Sequence, residues 1–179
     1  MKRLLLGLMV AAVAAIGFGG VGAVAAANGQ LQAFGTGTVT ITADAATILN
    51  ASGQYGGVYT KSKSQSGMLL NVVTFSFVST GDVGGGAPRF SIPINTDGGV
   101  GTVAGYAFLD AAGCLGASGD TTTVSTASST CRVNFLSQDY TNWAALAAVF
   151  PTARIAQSRV PFIIADAPGS YAVNSIDLG

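Results

Sequence analysis

The fold is decided by residues 142–178, which read NWAALAAVFPTARIAQSRVPFIIADAPGSYAVNSIDL. Residues 142–150 carry apolar side chains at helical spacing and end at a proline, which predicts a short helix with one buried face. Residues 153–165 predict a strand that is broken near Pro161. A turn with Pro and Gly follows, and residues 170–178 alternate as a last strand. We therefore expect one short helix and then the closing hairpin of a β-sandwich.

Details of this stretch fix which side chains face the core. The helix is expected to receive its N-cap from Asp139 or Thr141, whose side chains can accept a free backbone N–H. In the last strand Tyr171 and Val173 share one parity and Ile176 takes the other, so a β-bulge is expected between them. The apolar face of the helix is predicted to consist of Trp143, Leu146, Ala147 and Phe150.

Alternating and β-branched runs upstream predict the other strands. Thr38–Thr42 alternates polar and apolar residues, as a half-buried strand does. Met68–Ser79 is the most apolar β-prone run, so we expect a central strand there. Arg89–Asn95 also alternates, but Pro93 cannot donate to a ladder and must face solvent, a bulge or a gap, which favours an edge strand.

A further strand is predicted at Val100–Asp110, with core side chains from Val103, Tyr106 and Phe108. About eight to ten strands without strand–helix alternation indicate an all-β, two-sheet sandwich. A length of 179 residues suits one domain, which we expect to span residues 28–179.

Residues 1–27 have the features of a secretory signal peptide. Lys2 and Arg3 precede a long uncharged run, and the small residues of Ala23–Ala27 suit cleavage. The alternative is a retained anchor, because Leu4–Ala27 is long enough to span a bilayer. Cleavage would remove Lys2 and Arg3 from eight basic residues and leave eight acidic ones, a net charge of about −2. We expect a secreted or cell-surface protein, with no membrane contact after cleavage.

The composition excludes several kinds of chemistry. Charged residues make up 9% of the chain, against about 25% in typical proteins. There is no His, so a Ser-His-Asp site is excluded, and there is no Glu, so a glycosidase would need two Asp residues. The formal net charge is zero, which gives no attraction to nucleic acid. We therefore expect a protein that is not an enzyme and needs no cofactor.

Cys114 and Cys131 are the two cysteines of the chain, and in an exported protein they predict one disulfide. The Ser/Thr-rich segment between them favours a hairpin stapled at its base. The alternative, two free or metal-binding thiols, lacks a histidine partner.

Aromatic residues beside polar loops are candidates for binding a sugar ring. They are Tyr55, Tyr59, Tyr140 and Trp143. Trp143 also lies on the apolar face of the predicted helix, so core packing is its favoured role. Asn95-x-Asp97-Gly98 is a fragment of a calcium-binding pattern, although a plain turn fits those residues better, and a structural calcium ion held by separate loops is the alternative.

The C-terminal third resembles the closing part of secreted bacterial jelly-roll domains. The shared features are the helix before two long strands and a final Tyr-x-Val-Asn/Asp-x-Ile pattern, which Tyr171, Val173, Asn174 and Ile176 match. GGGAPRFSI, residues 84–92, also resembles secreted proteins of Gram-positive type. The resemblance implies a carbohydrate-binding or cell-surface domain.

Three functions follow as hypotheses. The first is a non-enzymatic binding or cell-surface module whose partner is a glycan or another cell-surface polymer, and coplanar exposed aromatic rings would favour it. The second is a structural coat or filament subunit that self-associates through edge strands. A free sheet edge near Leu31–Thr42, with concentration-dependent assembly, would favour this hypothesis. The third is an Asp-based carbohydrate-active enzyme.

Overall fold

The computed structural model describes residues 31–99, 101–114 and 121–179. The predicted signal peptide, Val100 and residues 115–120 lie outside these ranges. The described residues form two antiparallel sheets that pack face to face, with one short helix, so the predicted all-β sandwich is confirmed.

One sheet, called the large sheet, contains β1 (Leu31–Gly35), β4 (Gly56–Thr60), β6 (Arg89–Asn95), β7 (Gly105–Asp110), β9 (Val133–Phe135), β10 (Gln138–Tyr140), β11 (Arg154–Ile155) and β12 (Phe162–Ala165). The other, called the small sheet, contains β2 (Thr38–Thr42), β3 (Ala45–Asn50), β5 (Ser76–Gly81), β8 (Thr121–Ser125) and β13 (Gly169–Asp177). Outside the sheets lie a 3-10 turn (Leu70–Val72) and helix α1 (Trp143–Val149).

The strand order is β1-β4-β12-β6-β7-β9-β10 in the large sheet and β2-β3-β13-β5-β8 in the small sheet. The chain passes from one sheet to the other between β1 and β2, where the N–H groups of Thr36 and Gly37 both donate to the carbonyl of Tyr55. Gly35 at this corner has φ +107°, a conformation that side chains other than glycine rarely adopt.

The core lies between the sheets and follows the alternation of the strands. In β2, Val39 and Ile41 are buried and the threonines on either side are exposed, as the sequence pattern predicts. Phe77 of the small sheet and Phe90 of the large sheet meet edge to face, with ring centroids 4.7 Å apart. Burying one such ring stabilises the fold by about 1.5–3 kcal/mol.

The predicted closing hairpin is wrong. β12 pairs with β4 and β6 in the large sheet, whereas β13 pairs with β3 and β5 in the small sheet. The turn between them therefore crosses the core instead of joining neighbouring strands. The predicted bulge in the last strand is confirmed, because the register of β13 against β5 shifts between Asn174 and Asp177.

The predicted strand Met68–Ser79 is only half correct. Its first half forms the 3-10 turn, where Leu70 and Val73 are buried, and only its end belongs to β5. Apolar residues three apart suit a 3-10 turn, whose period is three.

The expectation that Arg89–Asn95 is an edge strand is also wrong. β6 lies inside the large sheet, with β7 on one side and both β11 and β12 on the other. β12 pairs with the first half of β6 and β11 with its last two residues, so Pro93 stands at the gap between them. The gap is one of the three environments predicted for this proline, and it leaves no ladder partner where Pro93 has no N–H to donate.

In β7 the predicted core residues are on the wrong face. Ala107 and Leu109 are fully buried, whereas Tyr106 and Phe108 have the opposite parity and are half-buried on the outside of the sheet. Val103 precedes the strand and is also half-buried.

The disulfide between Cys114 and Cys131 is formed, as predicted. The two cysteines form an antiparallel bridge at the base of the predicted loop, but the described part of the chain between them includes β8, which pairs with β5 of the small sheet instead of forming its own hairpin. A formed disulfide is compatible with an oxidising, extracellular compartment.

Helix α1 lies where the sequence predicts it, with Trp143 and Leu146 buried. Its N-cap is Asn142, however, whose side-chain oxygen accepts the N–H of Ala145 at 2.9 Å, and neither Asp139 nor Thr141 has that role. Asn142 caps as well as Asp does, so local preference alone does not choose among them.

Candidate functional site

Four aromatic side chains lie together on the outer surface of the large sheet. They belong to Phe34, Tyr59, Tyr106 and Phe162, and we call them the aromatic face. Each is half-buried, because its neighbour along the strand points into the core, as Val58, Ala107 and Ile163 do. The site therefore consists of outward-facing side chains from four strands, in each of which successive residues point to opposite sides of the sheet.

The sheet register brings these rings into contact. Tyr59 and Phe162 are directly opposite each other on β4 and β12. The ring of Phe162 meets the ring of Phe34 at 5.5 Å and that of Tyr106 at 5.7 Å, in both cases edge to face. Such pairs are worth about 0.5–1.5 kcal/mol beyond burial of their area, so the rings hold one another in place.

The residues of the sheet beneath the rings are small or tightly packed. A Cβ atom on Gly57 would lie 2.5 Å from Cζ of Phe34 and would also overlap the carbonyl oxygen of Ile163, so only glycine lets this ring lie on the sheet. Ser91 and Pro93 of β6 are buried although they point outward, because the neighbouring rings cover them. The rings, Arg159 and Val160 surround a shallow depression of about 260 Å³.

Arg159 is the charge beside this depression. Its side chain is exposed, and it forms no salt bridge with any residue that the structure describes. Guanidinium groups bind carboxylates and hydroxyl oxygens through several N–H donors and also stack on rings, so Arg159 adds polar recognition to an apolar surface.

A second arginine on the same sheet is already neutralised. Arg89 donates to Asp166 through two parallel bonds of 2.6 and 2.5 Å, and it also lies over the ring of Phe108 at 5.3 Å. The hydrogen bonds from Arg89 hold the pKa of Asp166 below its ordinary value of 3.8, against the opposing effect of partial burial. Arg89 and Asp166 therefore neutralise each other and have a structural role on the sheet surface.

Tyr171 is buried in the core, close to Asp166 of the ion pair described above. Its hydroxyl group lies 3.1 Å from the carbonyl oxygens of both Ala167 and Pro168. Burial raises the pKa of Tyr171, and the nearby charge of Asp82 raises it further, so this phenol stays neutral and acts as a hydrogen-bond donor.

Of the four sequence candidates for binding, the structure places Tyr59 on the aromatic face. Tyr55 is 43% exposed but lies in the loop before β4 and makes no ring contact with the cluster. Tyr140 ends β10 and packs against Phe150. Trp143 is only 3% exposed and its indole N–H donates to the carbonyl of Leu70 at 2.7 Å, so it is a core residue with no free ring face.

Three members of the aromatic face were not among the sequence candidates, namely Phe34, Tyr106 and Phe162. Tyr106 was assigned to the core, because large apolar rings are usually interior. Parity alone could not have located them, since each ring alternates with an apolar residue that the core also accepts, such as Ala33, Ala107 or Ile163. Arg159 gave no signal, because a single arginine in a loop is usually a solvated residue.

The residues of Asn95-x-Asp97-Gly98 form a turn, as the favoured interpretation predicts. Asn95 accepts the N–H of Asp97, and Asp97 accepts the N–H of Gly99 at 2.7 Å. Over residues 31–99, 101–114 and 121–179, no three Asp or Cys side chains lie together as metal ligands.

A groove of about 530 Å³ between α1 and the 3-10 turn is larger than the depression on the aromatic face. Leu70, Val72, Val73 and Phe150 line it together with small side chains such as Ala144 and Ala148, and Trp143, which is only 3% exposed, contributes little surface. Volume alone does not make a binding site, and we place the candidate site where half-buried rings lie beside Arg159, which has no salt-bridge partner in the described part of the chain.

Among the described helices, none has the length and apolar character needed to cross a membrane. No family model matches the chain, and neither a curated protein nor a solved structure matches it. The function must therefore be argued from the geometry of the site itself.

Proposed function

We propose that the mature chain is a secreted, non-enzymatic module that binds carbohydrate through the aromatic face. The observation that carries the proposal is the cluster of four half-exposed rings on one sheet surface, with Arg159 beside it. Contiguous apolar surface on a soluble domain is a mark of a binding site, whereas single exposed apolar residues need no explanation. The leader and the disulfide support secretion.

The chemistry of this face suits a sugar ring. The paired rings of the aromatic face are tilted against one another by 55–89° and are not coplanar. The flat, apolar C–H face of a pyranose would therefore stack on one tyrosine ring at a time, that of Tyr59 or Tyr106, while its hydroxyl groups stay in water or meet Arg159. The phenol groups of both tyrosines supply further donors and acceptors at the rim. Among the residues around the depression there is no nucleophile–base pair, which favours binding over catalysis.

Retention on polysaccharides tests the proposal. The mature chain, residues 28–179, is passed over soluble and insoluble glycans, and Tyr59→Ala and Tyr106→Ala are compared with Tyr55→Ala. Because Tyr55 is exposed but lies outside the cluster, Tyr55→Ala is the matched control. We expect the two variants of the face to weaken binding about tenfold each, since an aromatic contact is worth about 1.5 kcal/mol.

Two results would overturn the proposal. One is that the folded wild-type chain is retained on no glycan. The other is that Tyr59→Ala and Tyr55→Ala are both retained on the glycan as strongly as the wild type. Thermal unfolding of each variant shows whether the sandwich itself is intact.

A specific observation favours a second function, that of a structural coat or filament subunit. Both outer strands of the small sheet, β2 and β8, lack the charges and prolines that commonly protect sheet edges. β2 falls within Leu31–Thr42, near which a free edge together with concentration-dependent assembly would favour this function. Self-association that increases with protein concentration would support this function.

A further inference from the structure

The two edges of the small sheet have the same unusual character. β2 reads TVTIT and β8 reads TTTVS, and both consist of Thr, Val, Ile and Ser alone. Neither strand has a second neighbour among the residues that the structure describes. By contrast, β10 at one edge of the large sheet has only three residues and carries Asp139 in a salt bridge with Arg132. Within the described part of the chain, the small sheet therefore offers two unprotected ladders of backbone N–H and C=O groups.

The direction and parity of these strands allow one edge to continue the other. Every neighbouring pair in the small sheet is antiparallel, so β2, β13 and β8 run in the same direction. Both edge strands place alternate residues outward, at 38, 40 and 42 in β2 and at 121, 123 and 125 in β8. A second copy in the same orientation can thus present its β2 to β8 without turning its core-facing side outward.

We propose that copies of this chain assemble head to tail by parallel addition of β2 from one copy to β8 of the next. This inference rests on the second function proposed above and names its interface. The register that overlaps all five residues of each strand joins Thr121 to Thr38 and Ser125 to Thr42. It sets Val124 beside Ile41 on the core side and Thr123 beside Thr40 on the solvent side.

A row of side chains that already crosses the small sheet indicates how such a junction would look. Thr40, Thr47, Ala172, Thr80 and Thr121 are paired in turn across its five strands. The new contact would extend this uncharged surface from one copy into the next, with Thr–Thr pairs that stabilise cross-strand contacts. Because the two edges differ, the contact is heterologous and repeats from copy to copy. A sheet twist that does not return to the first copy makes the assembly an open, helical filament.

Charge placement at the junction tests the register. In the double variant Thr40→Lys with Thr123→Lys, two lysines would face each other at each junction. In the double variant Thr40→Asp with Thr123→Lys, opposite charges would face each other instead. All three substituted positions, including the control Thr47→Lys on the interior strand β3, are exposed on the same sheet surface.

Association is followed by sedimentation velocity over a range of concentrations, with electron microscopy of the mature wild-type chain. We expect filaments from the wild type and from Thr47→Lys. The Lys/Lys variant should need roughly tenfold or more protein to associate, and the Asp/Lys variant should recover most of that loss.

Several outcomes would overturn the inference. A wild-type chain that stays monomeric at all concentrations refutes assembly, and one that stops at a dimer refutes head-to-tail addition. Equal association of the Lys/Lys and Asp/Lys variants refutes the register. Glycan retention of the Lys/Lys variant is measured separately, so failure of assembly and failure of carbohydrate binding are distinguished.

Discussion

Replacing Trp143 with Phe tests whether this residue serves the core or a ligand. Trp143 is 3% exposed, and its indole N–H donates to the carbonyl of Leu70 at 2.7 Å, which ties α1 to the 3-10 turn. Phenylalanine keeps an aromatic ring but removes the donor and part of the volume. We therefore expect a loss of stability without loss of glycan retention.

The magnitude follows from two contributions. Leaving the carbonyl of Leu70 buried without its partner costs about 1–3 kcal/mol. The void left by the smaller ring costs about 1 kcal/mol more. The sum, about 2–4 kcal/mol, lowers the midpoint of thermal unfolding by roughly 5–15 °C, since a domain of this size loses about 2–4 °C per kcal/mol.

Circular dichroism during heating measures the midpoint for Trp143→Phe. Tyr140→Phe is the control, because its hydroxyl group makes one 3.3 Å contact with Gln138 at the surface and should matter little. Trp143 is the single tryptophan, so the wild-type chain should also show buried-indole fluorescence that shifts to the red on unfolding. An unchanged midpoint together with lost glycan retention would refute the core assignment.

Two further predictions concern the disulfide and the paired carboxylate. Reduction of the Cys114–Cys131 disulfide, which closes a loop with a sequence separation of 17, should lower the free energy of unfolding by about 3 kcal/mol in denaturant titrations; Cys114→Ser/Cys131→Ser should show no response to reductant. The lowered pKa of Asp166 means that the unfolded chain binds its proton more readily, so the stabilisation by Arg89 is complete above about pH 4 and is lost as the pH falls through the lowered pKa. Urea unfolding of the wild type and of Asp166→Asn should differ most near neutral pH and converge in acid, and a constant difference at all pH values would contradict the assignment.

Strands whose two faces differ clearly could be predicted from the sequence. Thr38–Thr42 matches β2 residue for residue, because threonines on one side and Val39 and Ile41 on the other leave one choice of face. The disulfide and the helix could be predicted for similar reasons. Each depends on a local pattern with one physical solution.

Most of the aromatic face could not be predicted, because both faces of its strands are apolar. In β7 the run Tyr106-Ala-Phe108-Leu fits a core on either parity, and size suggested that the rings point inward. The structure chooses Ala107 and Leu109 instead, since the space between the sheets is already filled by rings such as Phe77 and Phe90. Packing across the core is a property of several distant strands and is not written in any one of them.

Pairing between distant strands explains the other differences. The turn before Gly169 has the composition of a hairpin, but the chain after it joins the opposite sheet. Pro93 excludes a ladder hydrogen bond at one position only. Two short strands, β11 and β12, pair with β6 on either side of that position. A proline excludes a backbone hydrogen-bond donor at its own position, but it does not decide whether its strand lies at the edge or in the interior of the sheet.

The central places of β12 and β13 have a consequence for the timing of folding. Within the described residues, β4 is joined to β6 only through β12, and β3 is joined to β5 only through β13. Until the last strands have left the ribosome, each sheet exists as two separate halves with unpaired edges. Each sheet can therefore be completed only after β12 and β13 have been synthesised, so pairing across the middle of both sheets comes late in folding.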